Sequence, residues 1–191
     1  MKARKALATV PVLALFLAVL VLAGGCSGKG KAEDTAYAGP GGGAEINGVS
    51  FSIGEMETRS EIKPEEPSGY YHYYEEQKGW KYYVITGQAA NKGPYTLNAE
   101  NLAVNGTHGK KSYEGRLLFS NPEKSEFIKE IKADEELEFY FILLVKDKDL
   151  LPDKLEICYT NDFKAPKEDR PYDKLLIWTL PQLPIPCRVQ E

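Results

Sequence analysis

An all-β chain folded as an antiparallel β-sandwich is what this sequence predicts, on three observations. Runs of Val, Ile, Phe and Tyr alternate with polar residues at about seven places between Ile46 and Leu180, the period-two signature of half-buried strands. Turn-forming clusters such as Asn91-Lys92-Gly93-Pro94 and Asn121-Pro122 separate them. No segment after residue 45 carries a convincing amphipathic helical stripe.

In chain order, a first strand is predicted where Val49, Phe51 and Ile53 alternate with Ser50, Ser52 and Gly54. Ile62–Gln77 breaks that pattern with Pro64, Pro67 and the run Tyr70-Tyr71-His72-Tyr73-Tyr74-Glu75-Glu76. Strand character returns over Lys81–Ala90. The next strand is expected over Leu97–Val104, closed by Asn105-Gly106, a favoured hairpin pair. His108-Gly109 is a second turn candidate, which lengthens the expected loop beyond two residues, and Lys111–Phe119 is the return strand. Leu137, Phe139, Phe141, Leu143 and Val145 form a clean apolar face. The opposite face turns apolar at Ile142 and Leu144, so it is either covered or a small sticky patch. Lys154–Tyr159 and Asp173–Leu180 complete the set. Pro181, Pro184 and Pro186 stiffen the tail that follows.

The beginning of the chain has a different character. Lys2, Arg4 and Lys5 precede an apolar run, Ala6–Leu22, that ends on Leu22-Ala23-Gly24-Gly25-Cys26. A basic head, an apolar middle and a small-residue end describe a secretory signal. With the cysteine placed as it is, the segment resembles a bacterial lipoprotein signal and its lipobox. That resemblance implies cleavage after residue 25, a diacylglyceryl (palmitate-type) modification of Cys26, and a protein held on the extracytoplasmic face of the cell membrane. The competing reading is an uncleaved spanning helix, which needs about 20 apolar residues. Two acyl chains hold a protein stably where one does not. Residues 26–45 are Gly-rich and without periodicity, so they are expected to be a flexible tether reaching roughly 25 Å, with the folded domain at 46–191.

Loss of Lys2, Arg4 and Lys5 with the signal moves the formal charge from −4 to −7. An acidic exported chain is a poor partner for nucleic acid through general electrostatics. The cysteine count fits the same compartment. With Cys26 lipidated, Cys158 and Cys187 are an even pair where oxidation is permitted. A bridge between them closes a loop of about 30 residues and contributes roughly 3–4 kcal/mol; two buried or free thiols are the alternative.

Several segments resemble a family of bacterial lipoproteins with an immunoglobulin-like domain of unknown function, the DUF4352/DUF5067 group, related to telokin-like and mycobacterial secreted-antigen sandwiches. They are Tyr83-Val84-Ile85-Thr86 running into Ala90-Asn91-Lys92-Gly93, Leu102–Gly109 before Lys111-Ser112-Tyr113, and Ile131-Lys132-Ala133-Asp134-Glu135-Glu136 before Leu137-Glu138-Phe139. The resemblance implies an immunoglobulin-like sandwich outside the cytoplasm. It carries over no catalytic residues.

Little else in the sequence points to chemistry. Tyr70, Tyr71, Tyr73 and Tyr74 are the candidate binding residues, since tyrosine offers a flat apolar face with a polar tip; the plainer reading packs alternate tyrosines inward. Trp80 and Trp178 are expected in the core. His72 and His108 lack metal-ligand spacing relative to Glu75 or Glu76. Asp147, Asp149 and Asp153 lack the glycine and terminal glutamate of a calcium loop. No nucleophile elbow or phosphate loop is present. No metal, cofactor or catalytic residue is therefore expected. The sequence reads as a non-enzymatic envelope module that binds a protein or cell-wall partner. The alternative is a structural or assembly factor of a membrane complex docking through Ile142 and Leu144, and a cell-wall polymer hydrolase is a distant third.

Overall fold

A computed structural model describes residues 34–69, 73–161 and 172–181. The signal at 1–25, Cys26, Tyr70, Tyr71, His72 and Cys187 lie outside the described residues. Alternation places the strands: β1 (Asp34–Ala38), β2 (Ala44–Ile46), β3 (Val49–Arg59), β4 (Trp80–Asn91), β5 (Leu97–Asn98), a 3₁₀ turn (Ala99–Asn101), β6 (Ala103–His108), β7 (Lys111–Ser120), β8 (Phe127–Ile128), β9 (Glu130–Ile131), β10 (Glu136–Lys146), β11 (Lys154–Tyr159) and β12 (Lys174–Thr179).

Hydrogen-bonded neighbours run β1-β12-β11-β6-β7-β10-β4-β3-β2, with β8 added to β7 and β5 paired to β9. The ladder between β1 and β12 is parallel, and the remaining ones are antiparallel. This continuous path becomes a sandwich because β7 changes partner along its length. Residues 111–115 pair with β6, and residues 115–119 pair with β10. Gly115 is the crossing point, opposite both Val104 and Leu143. A strand that passes from one layer to the other closes a corner between them. The layers face each other across Phe141 and Trp178, whose rings meet edge-on at 6.3 Å. Asn47 Nδ2 donates to the Thr160 carbonyl at 2.8 Å and ties one end of the sandwich.

The core follows from the period of two. Phe139, Phe141, Leu143 and Val145 project inward from β10, Leu155 and Ile157 from β11, and all are fully buried. Phe51 packs among Phe119, Phe139 and Phe141 at 5.3–6.5 Å between ring centroids. Each such ring contributes roughly 1.5–3 kcal/mol through burial. Trp178 belongs to this core as expected, whereas Trp80 is half-buried at a strand end with the Lys146 ammonium 5.3 Å from its ring.

The second apolar face of β10 is covered from within. Ile62 and Tyr74 bridge the 60–78 segment, with backbone bonds of 2.9 and 2.8 Å in the two directions. Together with Phe127 they lie over Tyr82, Val84, Leu118, Tyr140 and Ile142. Ile142 is 4% exposed. The expected docking site at Ile142 and Leu144 is thus a second, internal core and not a surface for a partner.

Two further expectations change. Residues 34–38, and 44–45 at the start of β2, expected in the tether, are strand. β1 completes the edge of β12 from the outside, where one-sided exposure removes the periodicity that would have marked it. Asn105 and Gly106 lie inside β6, and the expected strand at Leu97–Val104 is split by the 3₁₀ turn. The hairpin turns instead at Gly109-Lys110, a two-residue loop with Gly109 at φ 60°, as turns with glycine first require. Gly106 is a close-approach glycine, since a Cβ there would come 2.7 Å from Pro152 Cγ.

Candidate functional site

The partner exchange along β7 leaves a gap in the sheet. β6 leaves β7 after the Val104–Gly115 pair, and β8 takes up the same strand again at Phe119–Ile128. Between them, Arg116, Leu117 and Leu118 pair with β10 on one edge and face an opening on the other. The chain frames this opening on its far side. Asn98 caps the 3₁₀ turn by accepting from the Glu100 N–H at 2.9 Å, and the Ala99 N–H donates to the Lys129 carbonyl at 2.7 Å. The short β5–β9 ladder holds the frame shut.

The result is a cleft of about 510 Å³ lined by Leu102, Val104, Leu117 and Leu118, with Asn105 and Tyr74 at its sides. That volume lies within the range of small-ligand sites, roughly 300–1,000 Å³. Charges of both signs ring it. Lys129 is ion-paired with Glu100 across the frame, and Arg116 stands 3.9 Å from Glu114 on the outward face of β7. These side chains are solvent-exposed, and exposed pairs contribute little to stability. They can therefore exchange partners with a ligand at small cost. Burial pushes the Tyr74 hydroxyl above its ordinary pKa, while the Arg116 and Lys129 cations beside it pull the other way.

The tyrosine run divides. Tyr73 is exposed and its hydroxyl donates to Glu75 at 3.2 Å. Tyr74 turns inward, with its ring 5.8 Å from that of Tyr82, and borders the cleft. Glu75 serves the fold, since its carbonyl accepts from the Tyr82 hydroxyl at 2.8 Å. Of the four predicted binding residues, Tyr73 and Tyr74 are thus described, and Tyr74 alone of these two borders the cleft.

Sequence reasoning missed Glu100, Arg116 and Lys129. The available signal was Glu114 and Arg116 alternating with Tyr113, Gly115 and Leu117, which marks an outward polar face but not a cavity. A second, more open hollow of about 650 Å³ lies between Arg59, Gln77, Trp80 and Asp147.

The acidic loop does not converge. Asp149 is ion-paired with Lys111, which holds its carboxyl below the usual range. Asp153 lies 3.5 Å from His108 Nδ1. Among the described residues no group of three or more His, Cys, Asp or Glu side chains is placed to share a metal ion. Cys158 is buried on β11 and disulfide-bonded; Cys187, the partner expected for it, lies outside the described residues. No described helix is long and apolar enough to cross a membrane.

No family model matches the chain, and no curated protein does. Among solved structures it is similar to an uncharacterised β-sandwich protein of Clostridium difficile 630, at TM-score 0.52 and 15% identity over 80% of this chain and 97% of that one. This likeness establishes the β-sandwich fold. A candidate lipoprotein of Bacillus subtilis, ycdA, aligns at TM-score 0.39 and 14% identity, over 73% of this chain and 38% of that one. An ApaG protein of Pseudomonas aeruginosa aligns at TM-score 0.32 and 8% identity, over 59% of this chain and 96% of that one.

Proposed function

We propose that this chain is a non-enzymatic binding module of the cell envelope, held on the extracytoplasmic face of the membrane by a diacylglyceryl group on Cys26. Its framed cleft takes the charged end of a short peptide or a similar amide-bearing ligand. The observation that carries this reading is the gap in the sheet. Over Arg116–Leu118 the strand edge opens into the cleft instead of onto another strand. Backbone N–H and C=O groups that face an opening need partners, and an amide-bearing ligand supplies both kinds, as in other strand-edge recognition. The gap is closed by β6 at one end and β8 at the other, which favours a short segment or chain terminus over a long added strand. Charges of both signs at the rim match the ionised groups such an end carries.

The anchor reading rests on Lys2, Arg4 and Lys5, the apolar run and Gly24-Gly25-Cys26. Binding is tested by titrating the labelled mature chain with short peptides and following amide chemical shifts. Saturable shifts at Arg116–Leu118 and Asn105, lost in an Arg116→Ala/Lys129→Ala variant, are expected. Shifts confined to the Tyr73 surface would move the site elsewhere.

A further inference from the structure

The continuous sheet has two ends, and they are finished differently. At one end β2 covers β3 only as far as Phe51, and the rest of that β3 edge carries safeguards. A bulge breaks its register between Ile53 and Glu55, and Glu55, Glu57 and Arg59 set charges along it. Bulges and charges keep a free edge from pairing with another chain. At the other end, β1 has neither device. Its ladder with β12 runs without a break from Asp34 to Ala38, and its single charge, Asp34, is paired with Lys174 at 3.5 Å.

The partner of β1 fixes where its backbone groups point. The Asp34 N–H donates inward to the Asp173 carbonyl at 3.0 Å. Along a parallel ladder the groups of alternate residues share a side, so those of Ala36 and Ala38 also serve β12. The N–H and C=O of Thr35 and Tyr37 point the other way, out of the sheet. Residues 34–37 are exposed, and Tyr37 keeps 76% of its surface in water. Among the described residues no strand lies beyond them.

We infer that this edge pairs with the β1 edge of a second copy of the chain, antiparallel and centred on Ala36. The segment is self-complementary in that register. Thr35 of one copy stands opposite Tyr37 of the other, and the two residues exchange both backbone bonds. The two-fold axis repeats the pair, so every outward N–H and C=O on both edges finds a partner. Ala36 meets Ala36 of the second copy at the non-hydrogen-bonded position, where Cα atoms approach to about 4.5 Å and a methyl group fits. Tyr37 lies beside Thr35 of the second copy, an aromatic and β-branched pair of the kind that stabilises sheets. No like charges meet, since Asp34 stands opposite Ala38. That matters for a chain of net charge −4, which repels its own copies over most of its surface. A pair of five-residue strands is a small contact, at the weak end of protein interfaces, so the dimer is reversible and its population follows concentration.

The test is sedimentation equilibrium of the mature full-length chain over a concentration series reaching about 1 mM, without ligand, so the cleft takes no part in it. The wild type should pass reversibly from monomer to dimer. Thr35→Pro removes an outward donor while leaving the β1–β12 bonds in place, and should weaken the dimer about tenfold or more. Ala36→Lys and Ala36→Glu change an exposed side chain and no backbone group, so they carry the comparison if the proline variant fails to fold by circular dichroism. Each alone sets like charges face to face and should be monomeric; mixed in equal amounts, the two should recover the dimer. A wild type that stays monomeric at every concentration, even one that accepts a foreign strand at this edge, would overturn the inference. So would a dimer unchanged in any folded variant, no recovery on mixing, or a dimer that proves covalent on a non-reducing gel.

Discussion

Gly115 faces Leu143 across the β7–β10 ladder with no room between them: a Cβ on Gly115 would overlap the Leu143 Cδ2 methyl and come 3.2 Å from Val104 Cγ1. At this contact β7 exchanges β6 for β10, so the absence of a side chain lets the sheet turn its corner. The corner in turn leaves the gap that becomes the cleft.

Gly115→Ala should therefore destabilise the domain by about 2–3 kcal/mol through overpacking, measured by equilibrium denaturation. Because the clash is with one methyl-bearing side chain, Leu143→Ala in the same chain should recover part of that loss. Strict additivity of the two changes would place the strain elsewhere.

Ile142→Glu distinguishes an internal second core from a docking patch. It sets a carboxylate among Ile62, Val84 and Tyr140, and should lower stability by about 4 kcal/mol or more. A soluble, fully folded Ile142→Glu protein with unchanged Tm would contradict the covered face.

Burial raises the Glu156 carboxyl above its ordinary 4.5. For an acid raised in the folded state, the unfolded chain releases its proton first as pH rises. Stability is thus full below about 4.5, falls through the window up to the raised value, and stays lower above it. Glu156→Gln removes that loss. Its Tm should exceed wild type at pH 7 and match it at pH 3.5; a lower Tm at pH 7 would mean the carboxylate has a partner that it needs.

At high pH the same sign applies to two tyrosines. Burial pushes Tyr83 up to about 12, and burial with the nearby Glu138 carboxylate pushes Tyr140 up further. Stability should fall from about pH 10 upward as the unfolded chain ionises. Ultraviolet titration should show part of the tyrosine absorbance change arriving only with unfolding. A single smooth titration near 10 with the fold intact would contradict their burial.

The fold was legible in the sequence where one face meets the core and the other meets solvent. Phe139–Val145 and Lys154–Tyr159 announced themselves this way. The exceptions have local physical causes. Asn105-Gly106 imitates a hairpin turn because glycine serves two needs: here it makes room for Pro152. The true type I′-like pair, Asn47-Gly48 with φ of 51° and 80°, joins β2 to β3 but was hidden beside a segment read as tether. β1 gave no signal because four of its five residues are exposed and nothing alternates. The cleft was the least legible part. It arises where β6 leaves one edge of β7 before β8 joins it, which no local pattern encodes, and its charged residues read as ordinary surface. Tyr74 was singled out for its aromatic run, yet it reaches the cleft through its bridge to Ile62.

Ligand binding in the gap beside Arg116–Leu118 is tested by a peptide titration of the mature chain monitored at backbone amides. Saturable shifts centred on residues 103–105 and 115–118 are expected, abolished by Arg116→Ala/Lys129→Ala with the stability of the variant within about 0.5 kcal/mol of wild type. Shifts that persist in that variant, or that map to Tyr73 and the 75–79 segment with the cleft silent, would contradict it.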